Sequence, residues 1–323
     1  MPRRLISSCS SETQRMTAAQ LKASIRASEG RVILCQTYVD FAPLCEGTLN
    51  AELAQAFGAD MIFLNGYSMD EDHLHPGLQT EVWDFNDYKP TEFRLPDLKK
   101  WIDMPLGIYL ECGTSDDGTT STAPEKKLIR SDRIASQTNI LKAQQEGADF
   151  IVLGGNPGTG TSFDRIIEAT RSAKTLLGDS MLIFAGKWED GVTEKVLGDP
   201  TIPLEKSERF VMDLIDAGAD VICMPMPGSR QGISVEDIRH LTTLAHTYHQ
   251  GALVMTFLDG SVEGADETTI RQCSLWSKMT GADIHAIGDA GMSGVSIPED
   301  IYAMSIAIKG RRLTFRKLGT HHR

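Results

Sequence analysis

"EGADFIVLGGN", residues 146–156, passes from the end of a helical pattern into an apolar run through a glycine, an alanine and an aspartate. Glycine suits the left-handed conformation that closes a helix, and aspartate suits a short turn into a strand. The tripeptide recurs at 58–60, 218–220 and 281–283, each time before a strand-like run: "MIFLNGY", "VICMPMP" and "IHAIGDAG". Four copies of one α-to-β joint make an internal repeat. The copies lie far enough apart to hold two β–α units each. The gaps contain the further apolar runs "MPLGIYLECG" (104–113), "SMLIFAGKWEDG" (180–191) and "GALVMTFLDGS" (251–261), and "RVILCQTYVD" (31–40) precedes them all.

Eight strands are therefore expected, beginning near residues 31, 60, 104, 149, 180, 220, 252 and 283. Amphipathic stretches with apolar spacing of three and four fall at 49–58, 95–102, 131–147, 161–177, 204–218, 234–250, 266–280 and 297–309. Short apolar strands alternating with such helices call for a parallel sheet covered by helices, and eight units close it into a (β/α)8 TIM barrel. An open doubly wound sheet would not give the four-fold recurrence, and the GxGxxG fingerprint after the first strand is missing. Residues 1–30 are expected to form an N-terminal helical extension, with a helix around 17–28 that plugs or flanks the barrel bottom. Residues 31–310 form the barrel and 311–323 a basic C-terminal tail. The tail suits a solvated end or a contact between subunits, which leaves a homo-oligomer open.

Composition narrows the function classes. Of the 323 residues, 41% are hydrophobic and 24% charged, and no apolar run reaches membrane-spanning length. Lysine and arginine number 32 against 44 acidic residues, a net charge of −12 that argues against general affinity for nucleic acid or anionic lipid. Any anion must be held locally. The six cysteines form no CxxC pair, and the N-terminus lacks the apolar core of a secretory signal, so reduced thiols in a cytoplasmic protein are expected.

In this fold, active sites lie at the C-terminal ends of the strands, and phosphate is frequently held by the loops after the seventh and eighth. Those loops here are "FLDGSVEGAD" (257–266) and "HAIGDAGMSGVSIPED" (285–300). Glycine lets backbone N–H groups approach a ligand closely. Gly260, Ser261, Gly288, Gly291, Ser293 and Gly294 are accordingly candidate anion-binding residues. The loop after the fourth strand, "GGNPGTGTS" (154–162), resembles a P-loop in its glycine spacing but lacks the lysine. What remains is a second glycine-rich loop opening a helix, in which Gly158, Gly160 and Thr161 are candidate anion contacts, with Arg230 beyond the sixth strand.

Polar residues also gather at the other strand ends: Gln36, Tyr38 and Asp40, then Asn65 and Tyr67, Glu111, Asn156, and the run Lys187, Trp188, Glu189 and Asp190. Such groups are costly beside a packed barrel unless they face a solvated pocket or pair with each other. Lys187 is expected to clamp an oxyanion or, if its pKa falls, to form a Schiff base. Glu111 is a candidate general base or metal ligand, or simply an ion-pair partner of Lys187 or Arg230. Asp289 is a candidate for orienting a substrate hydroxyl, or a helix cap. The long segment 66–94 contains "SMDEDHLHPG"; Asp70, Asp72, His73 and His75 have no fixed metal-ligand spacing, so a lid is expected there, with 113–130 as its companion. A divalent metal is left open without a clear motif. His285, early in the eighth strand, reads as a core histidine.

Taken whole, and most closely at "SLWSKMTGADIHAIGDAGMSG" (274–294), the chain resembles a group of bacterial TIM-barrel proteins described as phosphoenolpyruvate-phosphonomutase-like. The resemblance implies a barrel. Members of that superfamily carry an Asp-rich magnesium motif near strand three, where this chain reads "ECGTSDDG" (111–118), so no catalytic residue carries over. The expectation is an enzyme, a lyase, aldolase or isomerase acting on a small phosphorylated or carboxylated metabolite. A non-catalytic ligand-binding or assembly barrel is the alternative, separated by whether Lys187 and Glu111 share one pocket. Metal-dependent hydrolysis is a third reading and needs a His/Asp cluster at strand ends.

Overall fold

The computed structural model describes residues 3–84, 87–113, 129–156, 158–189, 195–249 and 251–319. Eight parallel strands close in sequence order: β1 (Val32–Tyr38), β2 (Met61–Asn65), β5 (Leu106–Glu111), β6 (Phe150–Gly154), β7 (Leu182–Gly186), β8 (Val221–Pro225), β9 (Leu253–Leu258) and β10 (Ile284–Ile287), the last pairing with β1. The protein is a (β/α)8 TIM barrel, as the repeat requires. The omitted numbers belong to an antiparallel hairpin, β3 (Gln79–Asp84) and β4 (Asp87–Glu92), inside the 66–94 segment. This segment packs on the end of β1, where the Gly77 N–H donates to the Val39 carbonyl at 2.7 Å. Of the companion stretch 113–130, residues 114–128 lie outside the described residues.

The outer ring comprises α3 (Asn50–Ala56), α4 (Leu95–Trp101), α5 (Gln137–Gln145), α6 (Phe163–Leu177), α7 (Leu204–Ala217), α8 (Val235–Thr247), α9 (Glu267–Thr280) and α10 (Pro298–Gly319). They follow α1 (Ser10–Thr13) and α2 (Ala18–Ala27) in the N-terminal segment. Side chains alternate along each strand. Ile33, Ile62, Ile108 and Ile151 face the helices, whereas Leu34, Phe63, Tyr109 and Val152 fill the interior. Leu5, Ile6, Leu21 and Ile25 join that interior cluster, so the N-terminal segment stops the barrel's lower end. Leu313 joins it too. α10 breaks at Gly310, where φ is +73°, and the part beyond buries Leu313, Thr314 and Lys317. Residues 311–319 thus run as a packed helix, not a solvated end, because Leu313 has the barrel floor to cover.

The repeated tripeptide builds the same device four times. Its glycines adopt φ from +84° to +109°. Each aspartate then clamps one residue of the preceding strand in both directions. The Asp60, Asp149, Asp220 and Asp283 N–H groups donate to the carbonyls of Ile33, Leu106, Ile183 and Val254 at 2.8–2.9 Å. Their carboxylates accept the N–H of the same four residues at 2.8–3.1 Å. Each carboxylate also has a basic partner: Lys309 on Asp60 at 2.8 Å, Lys99 on Asp149 at 2.9 Å, Lys22 on Asp220 at 2.7 Å and His246 on Asp283 at 2.8 Å.

His285 is a satisfied core residue: Nε2 reaches the Gly30 carbonyl at 3.0 Å, the Ser277 hydroxyl meets Nδ1, and burial pushes its pKa down to about 4. Asp60 and Lys309 are both fully buried, so Lys309→Met strands a carboxylate and is expected to cost roughly 3–5 kcal/mol in urea unfolding. Lys22→Met, at a partly exposed pair, should cost under about 1 kcal/mol by the same measurement.

Candidate active site

Counting by twos up the strands from the interior layer reaches Gln36, Asn65, Glu111 and Asp259 at the mouth. Beneath them lies an aromatic floor. Tyr109 and Trp188 stand 6.0 Å apart centre to centre, Trp188 and Phe257 5.5 Å, and Phe257 and Phe63 5.8 Å. Glycine at 154 makes room for it, since a Cβ there would lie 2.6 Å from the Trp188 ring.

Carboxyl groups crowd above this floor. Glu111, 3% exposed, accepts the Asn156 N–H at 3.1 Å and the Asn156 side-chain amide. Burial raises its pKa, opposed by Asn156 and by the charges of Arg133 and Lys187. Glu189 is raised much further, first by burial and then by Asp259, with which it is placed to share a proton; Arg230 opposes the shift. Glu263, on the other side of Asp259, is pushed up to about 8 by burial and by the Asp259 charge. Asp289 is raised by burial and by Asp259, although the Gln36 amide donates to it at 2.6 Å. Among the described residues the Tyr109 hydroxyl, Asp259 Oδ2 and Glu263 Oε2 are buried without a hydrogen-bond partner. A group of carboxyls that retains protons near neutral pH is equipped for general acid–base chemistry.

The expected anion cup is differently furnished. A Cβ on Gly288 would lie 3.0 Å from Glu263 Oε1 and 3.3 Å from Asp259 Oδ1, so acidic oxygens line that turn. Gly260 leaves space for the Arg230 guanidinium, which would otherwise sit 1.8 Å from a Cβ; Arg230 in turn donates to the Trp188 carbonyl at 3.3 Å. Ser261 is exposed with φ of +81°. The Ser293 carbonyl accepts the Asn50 amide at 2.6 Å, the Gly294 carbonyl accepts the Tyr38 N–H at 2.8 Å, and a Cβ on Gly291 would meet nothing within 4 Å. These contacts make 288–294 a turn tied to β1 and α3, with carboxylates beside it.

Among the cavities lined by described residues Lys187 and Glu111 belong to different ones, an outcome that weakens the expected enzyme and favours the alternative of a ligand-binding barrel, although the Lys187 charge still acts on Glu111. On β7 the interior positions are Leu182 and Phe184, so Lys187 has the outward parity. Only 1% exposed, it gives a hydrogen bond to the Glu189 carbonyl. It lines a cavity of about 260 Å³ with Thr161, Ser162, Phe163, Asp164, Lys195, Ile202 and Lys206. The structure therefore joins Lys187 to the second glycine-rich loop, where Gly158 and Gly160 have φ of +80° and +75° and the Thr161 hydroxyl meets that of Thr159 at 3.0 Å. Glu111 lines another cavity of about 440 Å³ with Cys112, Ser136 and Arg165 among its walls. Asp190 lies outside the described residues.

Asp40, His73 and His75 bring ligand atoms within 4.8 Å of one another, a grouping that the irregular spacing of the lid sequence conceals. The Ser68 N–H donates to His75 Nε2 at 3.2 Å, which places the proton on Nδ1, the atom 3.5 Å from Asp40. A metal at Nδ1 would need the other tautomer. Arg130 lies 2.8 Å from His73 Nδ1 and Arg133 3.7 Å from Asp40. Burial alone would raise the Asp40 pKa, but the His75 hydrogen bond, Arg133 and His73 hold it below its usual value. The arrangement fits a hydrogen-bonded latch between the 66–94 segment and the end of β1 better than a metal centre.

Superposition on solved structures bears out the barrel. The Schiff-base-forming fructose-1,6-bisphosphate aldolase matches with a TM-score of 0.53 at 13% identity, over 87% of this chain and 96% of that one. The carboxyl transferase domain of Rhizobium etli pyruvate carboxylase matches at 0.53 and 12%, over 97% of this chain and 52% of that one. At such identities the likeness extends to the fold alone. The chain itself belongs to the family described as Domain of unknown function (DUF7916), whose model matches residues 6–323. No curated protein sequence matches it. Among the described residues no helix is long and apolar enough to cross a membrane.

Glu263 gives a direct test of the electrostatics. The folded state holds a proton that the unfolded chain releases near 4.5, so stability falls as pH rises from about 4.5 to 8, by at most ~1.4 kcal/mol per unit. Glu263→Gln removes this loss. Its urea midpoint should gain on that of the parent protein between pH 5 and pH 8, whereas an unchanged difference would mean the carboxyl is ionised throughout.

Proposed function

We propose that this protein is an enzyme of the aldolase/lyase or isomerase kind, moving protons on a small anionic metabolite at the mouth of the barrel. The observation that carries the reading is the pair of proton-holding carboxyl groups Glu189 and Glu263, set about Asp259 beside the buried Tyr109 hydroxyl. One carboxyl of such a run can accept a proton from carbon or from a hydroxyl while a neighbour delivers one to the departing or enolic oxygen. Glu111 is a second base, and Asp289, fixed by Gln36, orients a substrate hydroxyl. Lys187 holds the anionic portion of the substrate, and trapping with borohydride separates this role from a Schiff base. The fold shared with an aldolase supports this class of reaction without choosing its substrate.

The test is a thermal-shift screen with sugar phosphates, phosphoenolpyruvate and small dicarboxylates, since selective binding raises the melting temperature by mass action. Ligands that bind are then followed by proton NMR in deuterium oxide. Carbon-bound protons of the substrate are expected to exchange or the substrate to be cleaved, and Glu263→Gln or Lys187→Met to slow this by about 10²-fold or more. A ligand that binds tightly with no exchange and no turnover would instead establish a binding barrel without catalysis.

A further inference from the structure

Asn65 brings an amide to the mouth that the fold does not use. It stands at the end of β2, two positions above the inward-facing Phe63, and is 6% exposed. Among the described residues its Oδ1 is buried with no hydrogen-bond partner. Two other side-chain amides of the mouth are engaged, Gln36 on Asp289 at 2.6 Å and Asn156 on Glu111. The main chain of Asn65 is engaged as well, since its carbonyl accepts the Val39 N–H at 2.9 Å. An apolar residue of similar volume would spare the fold an unmet polar atom, so the amide needs a reason outside the packing.

The neighbouring strand repeats the pattern. Leu64 lies opposite Ile108 in the β2–β5 register, which sets Tyr109 beside Asn65. Among the described residues the Tyr109 hydroxyl, in a side chain 3% exposed, is likewise buried without a partner, as are Asp259 Oδ2 and Glu263 Oε2. These unmet groups are of both kinds: the amide and carboxyl oxygens accept, and the phenol donates as well as accepts. A cation would match the acceptors alone, and an anion would face the carboxyl groups of Asp259, Glu263 and Asp289. A hydroxyl is uncharged, donates once and accepts twice, and so meets both. The rings of Tyr109, Trp188 and Phe257 beneath suit the polarised C–H groups of a carbon chain that carries hydroxyls.

We infer that Asn65 and Tyr109 bind hydroxyl groups on adjacent carbons of a polyhydroxylated substrate. Asp289 after β10, Asn65 on β2 and Tyr109 on β5 lie along one arc of the closed barrel, which runs β10, β1, β2, β5. The assignment deepens the reaction proposed above, and rests on it only for what happens to the carbon chain once bound.

Uncharged four-carbon alcohols test it by ligand-observed NMR titration, because the anionic end of the substrate then plays no part. Erythritol and threitol carry two middle hydroxyls, butane-1,2,4-triol carries one and butane-1,4-diol none. The parent should prefer the tighter tetritol to the diol by about ten-fold, losing roughly three-fold for each middle hydroxyl removed. Asn65→Leu and Tyr109→Phe should each cut that preference to about three-fold, and the double variant should abolish it. Urea unfolding separates recognition from structure. Both single variants should have midpoints at or above that of the parent, since each loses a polar atom that the fold leaves unmet. The assignment is overturned if no tetritol binds the parent, if the middle hydroxyls bring no preference, if the variants keep the preference, or if either variant unfolds at a lower urea concentration, which would mark its polar group as structural. Proton exchange is read separately. A hydroxyl preference without exchange keeps this site and loses the reaction, whereas exchange on a substrate lacking hydroxyls does the reverse.

Discussion

Four aspartates at the lower rim hold the barrel in register. Each of Asp60, Asp149, Asp220 and Asp283 both gives a hydrogen bond to one residue of the preceding strand and accepts one from it, and each is held by a basic group from a neighbouring element. A one-residue slip would break both bonds of a clamp and turn every side chain of that strand to the opposite face. The clamps bind β1 to β2, β5 to β6, β7 to β8 and β9 to β10, and so fix which residues point inward at the far end. The chemistry of the mouth follows from a constraint at the base.

That register divides the upper face electrically. Carboxyl groups from β5 and the loops beyond β7, β9 and β10 meet over Phe63, Tyr109, Trp188 and Phe257, where burial raises the pKa of Glu111, Glu189, Glu263 and Asp289. Lys187 has the outward parity and is carried away from this group toward the starts of α6 and α7. The carboxyl groups and the lysine are thus set apart from one another at the mouth.

The barrel was legible because its joints repeat. The strands expected near 31, 60, 149, 220, 252 and 283 start within one residue of those positions, and those near 104 and 180 within two. The hairpin at 79–92 was not, since its strands lie outside the eightfold alternation that the repeat reports. The site was legible only in its parts. Glu111 and Asp289 do stand at the mouth, and Lys187 and Thr161 do share a cavity, but one sequence cannot say that a lysine one position past the strand end turns outward. No local pattern marks Glu263, whose surroundings arise from loops meeting across the barrel. The glycines of 288–294, read as a cup for an anion, lie in a turn tied to β1 and α3 with carboxylates beside Gly288.

The central claim is that carboxyl groups at the mouth keep their protons at neutral pH. Infrared difference spectroscopy between the parent protein and Glu263→Gln, recorded across a pH titration, measures this directly. The parent-minus-variant difference should carry a protonated carboxyl band at pH 7 that is lost as pH rises through about 8, while the Glu189 band, common to both, cancels. A difference spectrum in which that band is already missing at pH 7 would contradict the account.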